Sequence, residues 1–175
     1  MPRIRPLETT EAGPESRIVF DAFLAQRGNV PNMFRTLALV PEIMTTAAAH
    51  MRAVFNSGTV PLRLKEMLAV RVSQVNACAY CLASHTMLLK QLGATDETIA
   101  DLEAWEAAGT FTPAEKAALA LAEQMTRDAT RVDEALWNSL KEQFSDSEII
   151  ELVSVIGLFN YFNRVNDALH VEITR

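Results

Sequence analysis

Only two cysteines, six glycines and seven prolines occur among the 175 residues of this chain. So little glycine and proline excludes a collagen-like or low-complexity chain, and two cysteines are too few for a disulfide-stapled scaffold. Basic clusters are missing as well. The net charge is −6 and no Lys/Arg stripe is present, which leaves a nucleic-acid partner without its electrostatic footprint. Long apolar runs are also absent. The longest candidate, Ile149 to Phe162, is interrupted by Glu151, Ser154, Gly157 and Asn160 and is too short and polar to span a bilayer. The basic start Met1-Pro2-Arg3-Ile4-Arg5-Pro6 leads into no apolar stretch, so a secretory signal is not expected and the cytoplasm is the expected compartment. A structural disulfide would be kept reduced there, and a close cysteine pair then points to a metal site or a redox pair.

Apolar residues, at 49%, suffice for one globular domain with a substantial core. Their spacing is helical nearly throughout. Ser16–Arg27 places Ile18, Val19, Phe20, Phe23 and Leu24 along one side before Gly28 ends the pattern. Pro31 and Pro41 bracket a short piece, Asn32–Val40, and Pro41 opens a helix to about Asn56. Leu64, Met67, Leu68, Val70, Val72 and Val75 repeat at helical spacing between Pro61 and Asn76. A cysteine-bearing helix follows and stops at Gly93, and Thr95–Ala107 forms another. Thr112-Pro113-Ala114-Glu115 and Ser145-Asp146-Ser147-Glu148 are capping boxes, the second opening a last helix to His170. No strand-like alternation exceeds four residues. The expectation is an all-α, bundle-like single domain of roughly eight helices over residues 15–175, behind an extended N-terminal arm, residues 1–14, with few contacts of its own.

Both cysteines lie within Cys78-Ala79-Tyr80-Cys81-Leu82-Ala83-Ser84-His85, and Glu66 precedes the first of them by twelve residues. On a helix, positions three and four apart share a face, so Cys78 neighbours Cys81 and Cys81 neighbours His85. An imidazole and the positive end of the helix both favour thiolate over thiol, and the thiolate is the nucleophile. If Glu66 turns inward from the preceding helix, the logic of nucleophile, base and orienting carboxylate applies to Cys81, His85 and Glu66. Two other readings stay open at this point. Cys78, Cys81 and His85 could be three zinc ligands of a structural or interaction module, needing His50 or His170 as a fourth. The cysteines could equally be small buried hydrophobes beside an ordinary histidine.

The array Glu66-x11-Cys78-x2-Cys81-x3-His85, continuing to Leu88-Leu89-Lys90-Gln91-Leu92-Gly93, resembles the core of AhpD-like alkylhydroperoxidases in the carboxymuconolactone decarboxylase superfamily. The likeness is strong over about residues 60–93 and extends loosely to Gly28–Phe34 and to the Phe159–Arg164 stretch. It implies an all-helical fold assembling as trimers or hexamers. It also implies a peroxidase cycle without metal, haem or flavin, with Cys81 as peroxidatic cysteine, Cys78 as resolving cysteine and His85 with Glu66 as proton relay. The cofactor role would fall to a redox-active Cys78–Cys81 disulfide, reduced by a dithiol donor such as a lipoyl-bearing protein. The best-known members carry a second histidine where this chain has Tyr80, which can donate a hydrogen bond but is no base near neutral pH. Decarboxylases sharing the fold generally lack the cysteine pair, so a non-redox lactone decarboxylase is the lesser expectation.

Asn160, Asn163 and Arg164 interrupt the last apolar helix on its expected buried side, where polar groups need partners. Asn163, like Tyr80, is a candidate support for the site. His50 and His170 are expected on the surface or at an interface, and Trp105 and Trp137 as packing anchors.

Overall fold

Helix starts in this chain are set by prolines and short polar caps. The computed structural model describes residues 1–174, so Arg175, the last residue of the expected domain, lies outside the described residues. α1 (Pro14–Arg27), α2 (Asn32–Leu37) and α3 (Pro41–Asn56) lead to α4 (Leu62–Val75) and α5 (Ala79–Gln91). α6 (Asp96–Asp101), α7 (Pro113–Asp128), α8 (Glu134–Gln143) and α9 (Asp146–Leu169) complete the domain, with no strand among the described residues. The all-α expectation holds. Thr112 and Ser145 each accept a hydrogen bond from the backbone three residues on, while Glu115 and Glu148 reach back, forming the two anticipated capping boxes.

Two elements differ from expectation. α8 was not anticipated; the Asp133 carboxylate caps it by accepting from the Leu136 N–H. The Thr95–Ala107 helix is only half formed, because α6 stops at Asp101 and a 3-10 turn, Leu102–Ala104, follows. The tighter turn buries Leu102 and Trp105, whose indole N–H donates to Glu123 Oε2 at 3.1 Å.

α4 is the centre of the molecule. Leu64 through Ser73 are all buried, and the helix packs against α5, α7 and α9. A helix enclosed on every side is normally apolar all round, yet this one buries Lys65, Glu66 and Arg71. Each has a partner. The Lys65 ammonium donates to Val54 O at 2.8 Å and Ser57 O at 2.6 Å and pairs with Glu151 at 2.8 Å. It thereby satisfies terminal carbonyls at the end of α3. Arg71 meets Glu123 at 2.5 Å. Glu151 also accepts from the Thr59 and Val60 N–H groups, and Gly58 (φ 80°) passes beneath it so closely that a Cβ would lie 1.9 Å from its Oε1.

The N-terminal arm is fastened down more firmly than expected. Arg3 donates its backbone N–H to Leu169 O and its guanidinium to Ala168 O, both at 2.9 Å, closing the last turn of α9. Arg35 of α2 donates to Leu7 O at 2.7 Å. None of the described helices is long and apolar enough to cross a membrane.

Candidate active site

The turn between α4 and α5 creates the site. Ala77 N–H donates to Gln74 O and Cys78 N–H to Ser73 O, the paired bonds of a Schellman ending. Glycine usually occupies the left-handed position of this motif, but here Ala77 does, at φ 55°. The reversal makes Cys78 the N-cap of α5 and places Cys81 in its first turn, where unpaired N–H groups and the helix dipole favour an anion. Both cysteines are free and buried, Cys78 at 0% and Cys81 at 3% exposure.

Glu66 turns inward from α4, which its sequence pattern alone did not require. Its Oε2 lies 2.7 Å from His85 Nδ1. With Nδ1 engaged, Nε2 is the nitrogen left to exchange a proton. The ring is held by aromatic neighbours as well: Phe159 meets it edge-on at 4.5 Å between centroids, and Phe55 stacks at 6.2 Å. An apolar wall of this kind shields the Glu66–His85 hydrogen bond from water and strengthens it.

The two sulfurs are driven apart in acidity. A hydrogen bond from Cys78, against the opposing effect of burial, brings Cys81 down to about 7, helped by the His85 charge and by the Asn166 and Asn163 amides. Cys78 is raised, first because its proton is held by Cys81 and then by burial. Of the pair, Cys81 is therefore the sulfur that ionises first, while Cys78 keeps its proton. Alkylation of Cys81 by iodoacetamide is expected to rise with pH through a midpoint near 7, below the range of about 8.5 for a free cysteine. A midpoint at or above the free value, read from the mass of the Cys81 peptide across pH, would contradict this arrangement.

The supporting residues separate into two groups. Asn163, fully buried, accepts from Asn76 Nδ2 at 2.9 Å and donates to Ser73 Oγ at 3.1 Å, tying α9 to the end of α4. Tyr80 spends its hydroxyl elsewhere, accepting from the Met33 N–H and exchanging a hydrogen bond with Thr174 Oγ1, both at 3.1 Å. It fastens α2 and the C-terminal segment to the cysteine helix. Arg164 does not lie on the buried side as expected; it is exposed and bonds Asn160. Asn166 escaped sequence reasoning although its amide Nδ2 donates to Cys81 Sγ at 3.3 Å. Its position, three and seven residues beyond Asn163 and Phe159 on the same helix, was the available signal.

Among the described residues no three His, Cys, Asp or Glu side chains gather so as to hold a metal ion. His50 and His170, one of which a zinc site would have to recruit, are both exposed.

Residues 41–124 match the family model described as the carboxymuconolactone decarboxylase family. The uncharacterized protein YdfG of Bacillus subtilis is 35% identical over 106 residues, which is 60% of this chain and 72% of YdfG. Alkyl hydroperoxide reductase Rv2159c of Mycobacterium tuberculosis is 30% identical over 125 residues, 63% of this chain but only 36% of that longer protein. In three dimensions, an uncharacterized peroxidase-related protein with an alkylhydroperoxidase AhpD core from Ralstonia eutropha JMP134 superimposes with a TM-score of 0.90. That overlap covers 99% of this chain and 92% of the other at 22% identity, a likeness of fold.

Proposed function

The chain belongs to the carboxymuconolactone decarboxylase family, and from that premise we propose that it is a thiol-dependent hydroperoxide reductase working through Cys81 and Cys78. The observation that carries this reading is the Glu66–His85 pair at 2.7 Å, one helical turn from a cysteine whose pKa is lowered to about 7. A lactone decarboxylase needs no ionised thiol beside a second, protonated one. Kinship with a mycobacterial alkyl hydroperoxide reductase supports the same choice.

In this cycle the Cys81 thiolate attacks the terminal oxygen of R–O–O–H. An S–O bond forms, the O–O bond breaks, and the sulfur surrenders two electrons to the peroxide. The departing alkoxide takes a proton from His85, whose ring Glu66 orients and balances in charge. Cys78 then attacks the sulfenic sulfur. An S–S bond forms, the S–O bond breaks, and the released hydroxide leaves as water with the Cys78 proton. A dithiol donor, such as a lipoyl-bearing protein, returns two electrons and two protons to the disulfide. The chain's own residues then need no metal, haem or flavin. The same reading has the reaction run in the cytoplasm, where dithiol donors are maintained. A homo-oligomer, a trimer or hexamer, belongs to the same reading, and it would cover Leu39, Val40, Ile43 and Tyr161, which are exposed apolar side chains.

Titration with cumene hydroperoxide, followed by intact mass, tests the proposal. The expected product has lost two hydrogens per chain and regains them with a dithiol. A chain whose mass is unchanged by several hydroperoxides would overturn it.

A further inference from the structure

The α9 face that closes over the cysteines carries two fully buried asparagines, and they are not equivalent. Both ends of the Asn163 amide are occupied, by Asn76 and by Ser73. Asn166, 1% exposed, uses only its nitrogen, which donates to Cys81 Sγ at 3.3 Å. Its Oδ1 has no hydrogen-bond partner among the described residues. Ser16 Oγ and Arg71 Nε are unpartnered too, but neither side chain bonds a cysteine. A buried acceptor without a donor is destabilising, and an apolar residue of similar size would pack here at less cost. The open oxygen therefore asks for an occupant that brings a hydrogen-bond donor to the reacting sulfur.

We propose that Asn166 is a catalytic residue that holds both reactants: its Nδ2 binds the Cys81 sulfur while its Oδ1 accepts the O–H of an incoming hydroperoxide. The inference rests on the peroxidase reading and extends it to substrate recognition. A hydroperoxide carries a single donor, on the same terminal oxygen that the sulfur attacks. Accepting that proton on one end of a planar amide whose other end grips the sulfur brings the reacting atoms together before any bond changes. The electron and proton balance of the step is unaltered. The accepted hydrogen remains on the transferred oxygen, so the Cys81 sulfenic acid keeps its bond to Oδ1 until Cys78 displaces hydroxide. The amide N–H also stabilises the thiolate, because a donor to an anion favours the charged form.

The groups that bear on the Cys81 charge are Cys78, Tyr80 and His85 on its own helix, Glu66 on α4 behind His85, and Asp167 on α9 through Cys78. Asn166→Leu leaves all of them in place. Two measurements on this variant decide the matter. The pH midpoint of Cys81 alkylation by iodoacetamide is expected to rise by about one unit. At a pH above both midpoints, where every Cys81 is ionised, alkylation should match the wild type while oxidation by cumene hydroperoxide falls about tenfold, the loss of one orienting contact. An unshifted midpoint, or an unchanged saturating rate with the hydroperoxide, overturns the proposal. Asn166→Ala, which cannot overfill the site, provides the same readout should the leucine variant fail to fold. A wild-type protein inert to every hydroperoxide is a separate result that removes the peroxidase reading itself.

Discussion

Cys81→Ser is expected to abolish hydroperoxide consumption, with a loss of about a thousandfold or more in turnover. The serine hydroxyl is close in shape but does not ionise near neutral pH, so the contacts that depress Cys81 have no anion to stabilise. Cys78→Ser should behave differently. Cys81 still reacts once with peroxide, but no neighbouring thiol displaces the oxygen, so the chain gains one oxygen and stops unless an external thiol intervenes. Its first oxidation should stay close to the wild-type rate, since the serine hydroxyl can donate to Cys81 in place of the thiol, whose hydrogen bond is the largest influence lowering the Cys81 pKa. Intact mass after one equivalent of peroxide separates the cases. A Cys81→Ser chain that still turns over, or a Cys78→Ser chain that turns over without added thiol, would refute the assignment of attacking and resolving sulfur.

The parts of this site that sequence made legible are those set by local spacing. Cys78, Cys81 and His85 share a helix, and helical periodicity alone brings them to one face. Glu66 was less legible, because its inward orientation depends on how α4 is rotated against α5 and α9, a tertiary fact. The same holds for α9: an apolar helix interrupted by Asn163 suggested a buried polar contact, and Ser73 and Asn76 proved to be its partners across the fold. Ala77 gave no signal at all. Its left-handed conformation would be announced by glycine, and an alanine there reads as one more helical residue. Asp133 shows the opposite case, an ordinary capping residue that announces α8 only once the helix is known to exist. Tyr80 illustrates how a position between two functional residues can face away from both: its hydroxyl serves α2 and the chain end.

Lys65→Met is expected to cost about 3 kcal/mol or more of folding stability, lowering the melting temperature by roughly 6–12 °C for a domain of this size. The methionine fills the space of the stem but strands Val54 O and Ser57 O and leaves Glu151 Oε2 with the Val60 N–H alone, after the loss of the ammonium that all three accept from. Burial tends to raise the Glu151 carboxyl, yet Lys65 with the Thr59 and Val60 N–H groups holds it below the ordinary value, so removing the cation leaves a charge that the remaining contacts support only in part. Lys65→Met combined with Glu151→Gln should therefore recover part of the loss, a coupling that a double-mutant cycle in urea reads directly. Independent, additive effects would show that the buried pair is not what joins α4 to α9 at this end. The site depends on that junction. Lys65 and Glu66 are adjacent on α4 and point about 100° apart, so the contacts that fix Lys65 against α3 and α9 also fix the rotation that aims Glu66 at His85. The ammonium lies outside the reaction and still sets the geometry on which proton transfer relies.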